Sequence, residues 1–181
     1  MFSQQRASGF TLIELMIVIA ILGILASLAT PTFDVLDRRR MVGATDALHS
    51  QIQLARTEAI KRSREVIFRM TLDEATETWN AAVILVDGNN EQVLDRLSGA
   101  QFESIRVLED LPLEFRFDPI RGTLRTFDDI TISLASARQH NTRVRVRFTG
   151  RTAICSEQGS GYIGVYQPCE VAVDHDESEP N

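Results

Sequence analysis

Three groups of side chains in this sequence have the types and spacing for chemistry. Glu14 is the one charge in residues 10–29 (FTLIELMIVIAILGILASLA), an otherwise apolar run of 20. An ionised carboxylate inside hydrocarbon costs about 2.5–3.5 kcal/mol on a mild insertion scale, so it needs a cationic partner or a position from which it can snorkel to the headgroups. Arg143, Arg145 and Arg147 alternate with Val144, Val146 and Phe148. On a strand the arginines share one face and the apolar residues the other. With Arg138 and Arg151 close by, such a stripe suits nucleic-acid phosphates, the acids of a neighbouring protein, or water and cross-strand partners such as Glu114 or Asp118. Cys155 and Cys169 are the only cysteines, and the segment 156–161 between them is loop material. A bond between them would close a loop of roughly 15 residues, worth ~3 kcal/mol in the chain-entropy model, and would fit an oxidising compartment. The alternatives are two free thiols or half of a metal site, for which zinc wants four ligands and only His175 lies near. His49 and His140 are isolated, one on a helix and one in a loop, and read as surface residues.

Nothing else has catalytic spacing. No Gly-rich phosphate loop, metal-ligand cluster or Ser/His/Asp grouping is apparent, so the chain does not read as an enzyme and calls for no metal and no cofactor. Its 181 residues allow one membrane segment and one domain of moderate size. That excludes a polytopic transporter, a disulfide-dense miniprotein and a wholly disordered chain. The net charge of −6 conceals an uneven distribution: residues 41–118 are acidic, 119–169 are basic, and 170–181 carry five acids and no base.

The elements that must position these groups follow from periodicity. The apolar run of 20 residues, at about 1.5 Å per residue, spans roughly 30 Å, the thickness of a bilayer core. It is too long for the h-region of a cleaved secretory signal. Beyond Pro31, the residues Met41, Ala44, Leu48, Ile52, Ala55 and Ala59 form a stripe of helical period. The spacing predicts one helix over residues 10–62, kinked near Pro31, whose second half packs on a globular head. After Ser63 the period becomes two. Strands are expected around Val66 and Met70, Trp79 and Leu85, Gln92 and Leu97, Leu113 and Phe117, Ile130 and Leu134, and Val144 and Phe148, with a hairpin turn at Asp87-Gly88-Asn89-Asn90. The fold class is α+β: a long N-terminal helix, membrane-spanning in its first half, packed on a β-rich antiparallel head of about seven short strands.

The hexad Gly9-Phe10-Thr11-Leu12-Ile13-Glu14, with the apolar run behind it and Pro31 after it, resembles the class III signal of type IV pilins and type II secretion pseudopilins. The resemblance implies a pilin-like chain: a prepilin leader at residues 1–9, a transmembrane and filament-core helix at 10–30, an amphipathic half at 31–63 and a head at 64–173; the run of acids that follows reads by composition as a disordered tail at 174–181. It implies cleavage by prepilin peptidase between Gly9 and Phe10, N-methylation of Phe10, and Glu14 as the assembly acid that neutralises the N-terminal amine of a neighbouring subunit. Two charges that are unfavourable alone in a low dielectric become tolerable as a pair. The implied location is the inner membrane, single-pass, with a periplasmic head. Arg38-Arg39-Arg40 beyond the run outnumber Arg6 before it, so a count of positive charges alone places the C-terminal side in the cytoplasm; the leader and the cysteines both favour export.

The segment Leu54-Ala55-Arg56-Thr57-Glu58-Ala59-Ile60-Lys61-Arg62, the Phe117-Asp118-Pro119 turn with Gly122, and the late Gly150-Arg151 are similar to those of the FimT/FimU minor pilins and the GspH pseudopilins. That resemblance implies a minor subunit at or near a filament tip that helps start assembly. The implied partners are other major and minor pilins or pseudopilins, the prepilin peptidase and an inner-membrane assembly platform. Some FimT-like pilins bind DNA through a Gly-Arg-x-Arg loop. The matching Gly150-Arg151-Thr152-Ala153 keeps the first arginine and lacks the second, and Arg143, Arg145, Arg147 and Arg151 are the residues that DNA or a partner protein would meet.

Overall fold

The computed structural model describes residues 11–159 and 161–169, without the side chains of residues 28–33. Gly9, Phe10, the leader and the acidic tail at 174–181 lie outside the described residues. The chain forms two units, residues 1–36 and 37–181.

In the first unit helix α1 (Leu12–Arg62) begins. Thr11 caps it, because the backbone N–H of Glu14 donates to Thr11 Oγ1 at 3.3 Å. The Thr-x-x-Glu spacing is that of a capping box, and an acid in the first turn faces the positive end of the helix dipole. The apolar side chains that follow are bare, from Leu12 at 77% exposed to Leu25 at 58%, a surface that marks an interaction with lipid or protein. Among the described residues no helix is long and apolar enough to cross a membrane. The 20-residue run counted in the sequence also takes in Phe10 and the side chains of Leu28 and Ala29, which stand outside that set. The helical backbone continues through Pro31 to Arg62.

In the second unit the predicted stripe is the packing face: Met41, Ala44, Leu48, Ile52, Ala55 and Ala59 are all fully buried. Ser63, at φ 50°, ends the helix in the left-handed region. Its N–H donates to Ile60 O and that of Arg64 to Ala59 O, both at 3.2 Å. This is the Schellman pattern that satisfies the last carbonyls.

Nine strands follow among the described residues: β1 (Val66–Asp73), β2 (Thr78–Asp87), β3 (Asn90–Ser98), β4 (Ile105–Val107), β5 (Leu113–Phe117), β6 (Ile130–Ser136), β7 (Asn141–Val146), β8 (Thr152–Ser156) and β9 (Gln167–Pro168). They form two sheets, ordered β3-β2-β1-β5 and β4-β6-β7-β8-β9. Neighbours are antiparallel except β8 and β9. The expected hairpin is present, with Asp87 paired to Asn90. β4 and β9, at three residues and two, are too short to show an alternation, and β8 over Thr152–Ser156 is also absent from the expected strands. Phe148 lies beyond the end of β7 and is half exposed, a correction to the predicted strand. The inner faces of both sheets and the helix stripe share one core, centred on Phe68, Phe115 and Phe117 with Ile132, Leu134, Val144 and Val146. Phe68 and Phe115 stack at 4.9 Å between ring centroids.

Candidate functional site

Polar side chains hold the helix of the second unit to the second sheet. Thr45, His49, Gln53 and Arg56 recur at steps of four, four and three, beside the apolar stripe. Thr45 Oγ1 donates to Met41 O and lies 2.7 Å from Thr142 Oγ1 of β7. Thr152 Oγ1 of β8 accepts from Gln53 Nε2 and lies 2.7 Å from His49 Nε2. Burial lowers the pKa of the half-buried His49 below the ordinary imidazole value, against the opposing pull of Asp46. A neutral ring can then accept the Thr152 hydroxyl proton.

Arg56 Nε donates to Gly122 O at 3.0 Å, and Gly122 and Gly150 stand beneath it with φ of +61° and +77°. A Cβ on Gly150 would lie 1.9 Å from Gly122 O, so these two turns meet backbone to backbone. The glycine of Gly150-Arg151 is therefore required by packing, whereas Arg151 is exposed.

The segment between the cysteines straps the other end of this helix. Cys155 and Cys169 form a disulfide, with Cα atoms 4.8 Å apart, which replaces both the free-thiol and the half-metal-site readings. Arg38 donates to Tyr162 O at 2.7 Å, and Tyr166 Oη lies 3.2 Å from Val42 O and 2.8 Å from Asp46 Oδ1. Ile163 between them is fully buried. Residues 38, 42 and 46 are one helical turn apart. Burial, with Asp46 beside it, pushes the Tyr166 hydroxyl well above the ordinary phenol range.

Arg143 and Arg145 point outward from β7, while Thr142, Val144 and Val146 are buried. Arg143 stands opposite Ser133 and Cys155, and Arg145 opposite Thr131 and Ala153. Arg143 pairs with Glu157. The Glu157 carboxyl is held below the usual range by the Asn141 amide, at 2.9 Å, and then by Arg143. Arg147 and Arg151 close the β7–β8 hairpin, the Arg147 N–H donating to Arg151 O at 2.8 Å. Among the described residues the side chains of Arg145, Arg147 and Arg151 make no ion pair.

Glu114 and Asp118 are not cross-strand partners of this stripe. Glu114 lies on β5 of the first sheet, ion-paired with Arg69 at 2.8 Å and Arg116 at 3.1 Å. Asp118 accepts the N–H groups of Arg121 at 2.8 Å and Ile120 at 2.9 Å, which lower its pKa. His140 is buried, with Nδ1 2.8 Å from Gly161 O, where a surface residue was expected. Sequence reading also missed the Thr45, His49, Gln53 and Arg56 seam, although its 4, 4, 3 spacing was visible.

Residues 4–30 match the prokaryotic N-terminal methylation motif. Residues 44–150, more than half of the chain, match the family described as type II transport protein GspH. The chain belongs to the GspH family. The motif takes in Gly9, Phe10 and Glu14, and the GspH match takes in the helix seam, Gly122 and Gly150. This GspH-family chain is 36% identical over 99 residues to a fimbrial protein of Pseudomonas aeruginosa, covering 52% of this chain and 64% of that one; a second fimbrial protein of the same organism matches equally. It is 42% identical over 55 residues to type II secretion system core protein G of Dickeya chrysanthemi, covering 28% of this chain and 36% of that one. The chain thus spans a little under two thirds of the length of the fimbrial relatives. Its fold is similar to the crystal structure of the Pseudomonas aeruginosa type IV minor pilin FimU, with a TM-score of 0.54 and 18% identity over 69% of this chain and 97% of that one. A long N-terminal helix on an antiparallel β-rich head is thus a pilin-like fold, in a family of minor pilins and pseudopilins.

Proposed function

We propose that this chain is a minor subunit of a type IV pilus, placed at or near the filament tip, where it helps start assembly. The observation that carries this reading is a methylation motif at residues 4–30 followed in the same chain by a GspH match at residues 44–150. In this reading prepilin peptidase cuts between Gly9 and Phe10 and methylates Phe10. Residues 10–30 anchor the chain in the inner membrane with the head in the periplasm, then become filament core. Glu14 neutralises the N-terminal amine of a neighbouring subunit, and Pro31 bends the helix where the membrane part meets the head. The chain is a substrate of the peptidase, a cargo of the assembly platform and a neighbour of other pilins, with no catalysis of its own. The decisive test is the intact mass of the protein from its native membrane. Loss of residues 1–9 with one methyl added on Phe10 supports the reading, and an uncut N-terminus overturns it.

The likeness to core protein G favours a second reading, a minor pseudopilin of type II secretion. Deleting the gene separates the two. Loss of pili with export intact supports the pilus, whereas blocked exoprotein export with pili intact supports secretion. A DNA-receptor role would rest on Arg143, Arg145, Arg147 and Arg151, of which the last three lack ion pairs among the described residues. Salt-sensitive DNA binding that is unchanged by Arg147→Glu or Arg151→Glu would exclude it.

A further inference from the structure

We propose that the head binds a second copy of itself end to end, with Phe127 at one end of the second unit entering an apolar cavity at the other end of the next copy. Phe127 is 93% exposed, and Ile120 at 84%, Phe148 at 50% and Ile60 at 45% are bare as well. The fold gathers these four at one end. The N–H of Leu124 donates to Phe148 O and that of Phe148 to Asp129 Oδ1, both at 2.9 Å, which brackets the loop that carries Phe127 against Phe148. Gly122 sits against Ile60, whose Cδ1 lies 2.6 Å from the place of a Gly122 Cβ, and against Gly150. Asp118 fixes the turn between them by accepting the N–H groups of Ile120 and Arg121. Large apolar side chains held outward on hydrogen-bonded turns mark a contact surface. Arg147 and Arg151 flank it and make no ion pair among the described residues.

The opposite end has the complementary form. A cavity of about 300 Å³ lies between Leu72, Trp79, Val107 and Leu111, with the exposed Glu77 and Arg106 also in its wall. Trp79 is held in place by stacking on Phe102 and by donating its Nε1–H to Ile105 O at 3.2 Å. Leu72 and Leu108 are 51% and 59% exposed. Asp73, Glu74, Glu77 and Asp110, all exposed, outnumber Arg106 there, and none of the four pairs with a cation among the described residues. A larger cavity, on the outer face of the first sheet, is lined by Arg69 and Arg96 and by no acid, so its charge does not suit the arginines beside Phe127.

The two surfaces belong to different copies. Val66 pairs with Phe117, where the Phe127 end begins, and Leu72, six residues along β1, pairs with Trp79 in the cavity wall. At about 3.3 Å per residue the ends are roughly 20 Å apart, so Phe127 does not reach the cavity of its own chain. The contact is heterologous, one end on the other, and therefore repeats from copy to copy. An aromatic anchor in an apolar pocket supplies the attraction. The exposed charges are individually weak and decide which end meets which. The contact is made by heads alone and goes beyond the pilus reading, since it does not depend on cleavage after Gly9.

Two differently tagged copies of the full-length chain, one with a photo-crosslinking residue in place of Leu108, test this when expressed together and irradiated in intact cells, which traps even a short-lived contact. The expected product joins the two tags, with the attachment mapped by mass spectrometry to residues 118–129 or 147–151 of the second copy. Its yield should fall at least fivefold when the second copy carries Phe127→Asp, and also when the first carries Glu77→Arg, at unchanged amounts of both chains. No crosslink between the tags, a crosslink mapped elsewhere, or a yield unchanged by either substitution overturns the proposal, as does capture of a different protein in place of the second copy.

Discussion

Gly150 and Arg151 are adjacent and have opposite sensitivities. A methyl group at Gly150 would meet Gly122 O at 1.9 Å in a backbone held at φ +77°. Gly150→Ala is therefore expected to destabilise the protein by about 2–4 kcal/mol, through steric overlap and left-handed strain together, and Arg151→Gln to change stability by less than about 0.5 kcal/mol. Denaturant midpoints of the two variants check both. His49 gives a pH prediction. Its folded pKa lies below the ordinary 6.5 because of burial, so the unfolded chain takes up the proton first. Stability is then full above that value, falls as pH drops through it, and levels off below the folded pKa. The decline between pH 7.5 and 5.5 should be shallower in His49→Gln, where nothing titrates; an equal slope in both proteins would refute the assignment.

At the scale of elements, the helix of the second unit is clamped twice on the flank facing the second sheet. Its later turns are fastened by the seam that ends at Arg56, and its first turns by the disulfide strap through Tyr162 and Tyr166. Both clamps depend on residues distant in sequence, and only the strap is covalently closed. Replacing Cys155 and Cys169 by serine opens a loop of about 15 residues and should lower stability by about 3 kcal/mol. Because Tyr166 reaches Val42 O and Asp46, amide hydrogen exchange should rise first over residues 38–46 and least over residues 52–59. Uniform loosening of the helix would show that the strap does not hold it locally.

Across the molecule, the described part of the first unit is a bare apolar helix, and in the second unit several carboxylates are paired with arginines. Glu114 and Glu91 lie low in pKa because of Arg69, and Glu157 because of Asn141 and then Arg143. For groups depressed in the folded state, the stabilisation is complete above the unfolded value of 4.5 and is lost as pH falls through the folded one. The denaturation midpoint should therefore drop below about pH 4.5, and a midpoint that holds down to pH 3 would contradict the ion-pair assignment. The exposed helix makes a different prediction. Glu14→Leu removes the only charge of the run, so on the pilin reading the chain should still be cleaved and methylated, while its amount in sheared filaments falls at least tenfold. Quantitative immunoblots of membrane and filament fractions measure both.

What the sequence determined by itself was local. The period of 3.6 from Met41 to Ala59, the period of two after Ser63 and the Asp87-Gly88-Asn89-Asn90 turn all follow from backbone geometry acting over a few residues, and the structure has the helix, the strands and the turn in those places. Tertiary structure alone decided which distant groups meet. It gave Glu157 to Arg143, moved Glu114 to the other sheet, buried His140, and set Thr45 against Thr142 and His49 against Thr152. The physical reason is that a side chain's type and local period give the face it occupies. Its partner depends on strand order and register across about a hundred intervening residues, and that order is set by packing one shared core.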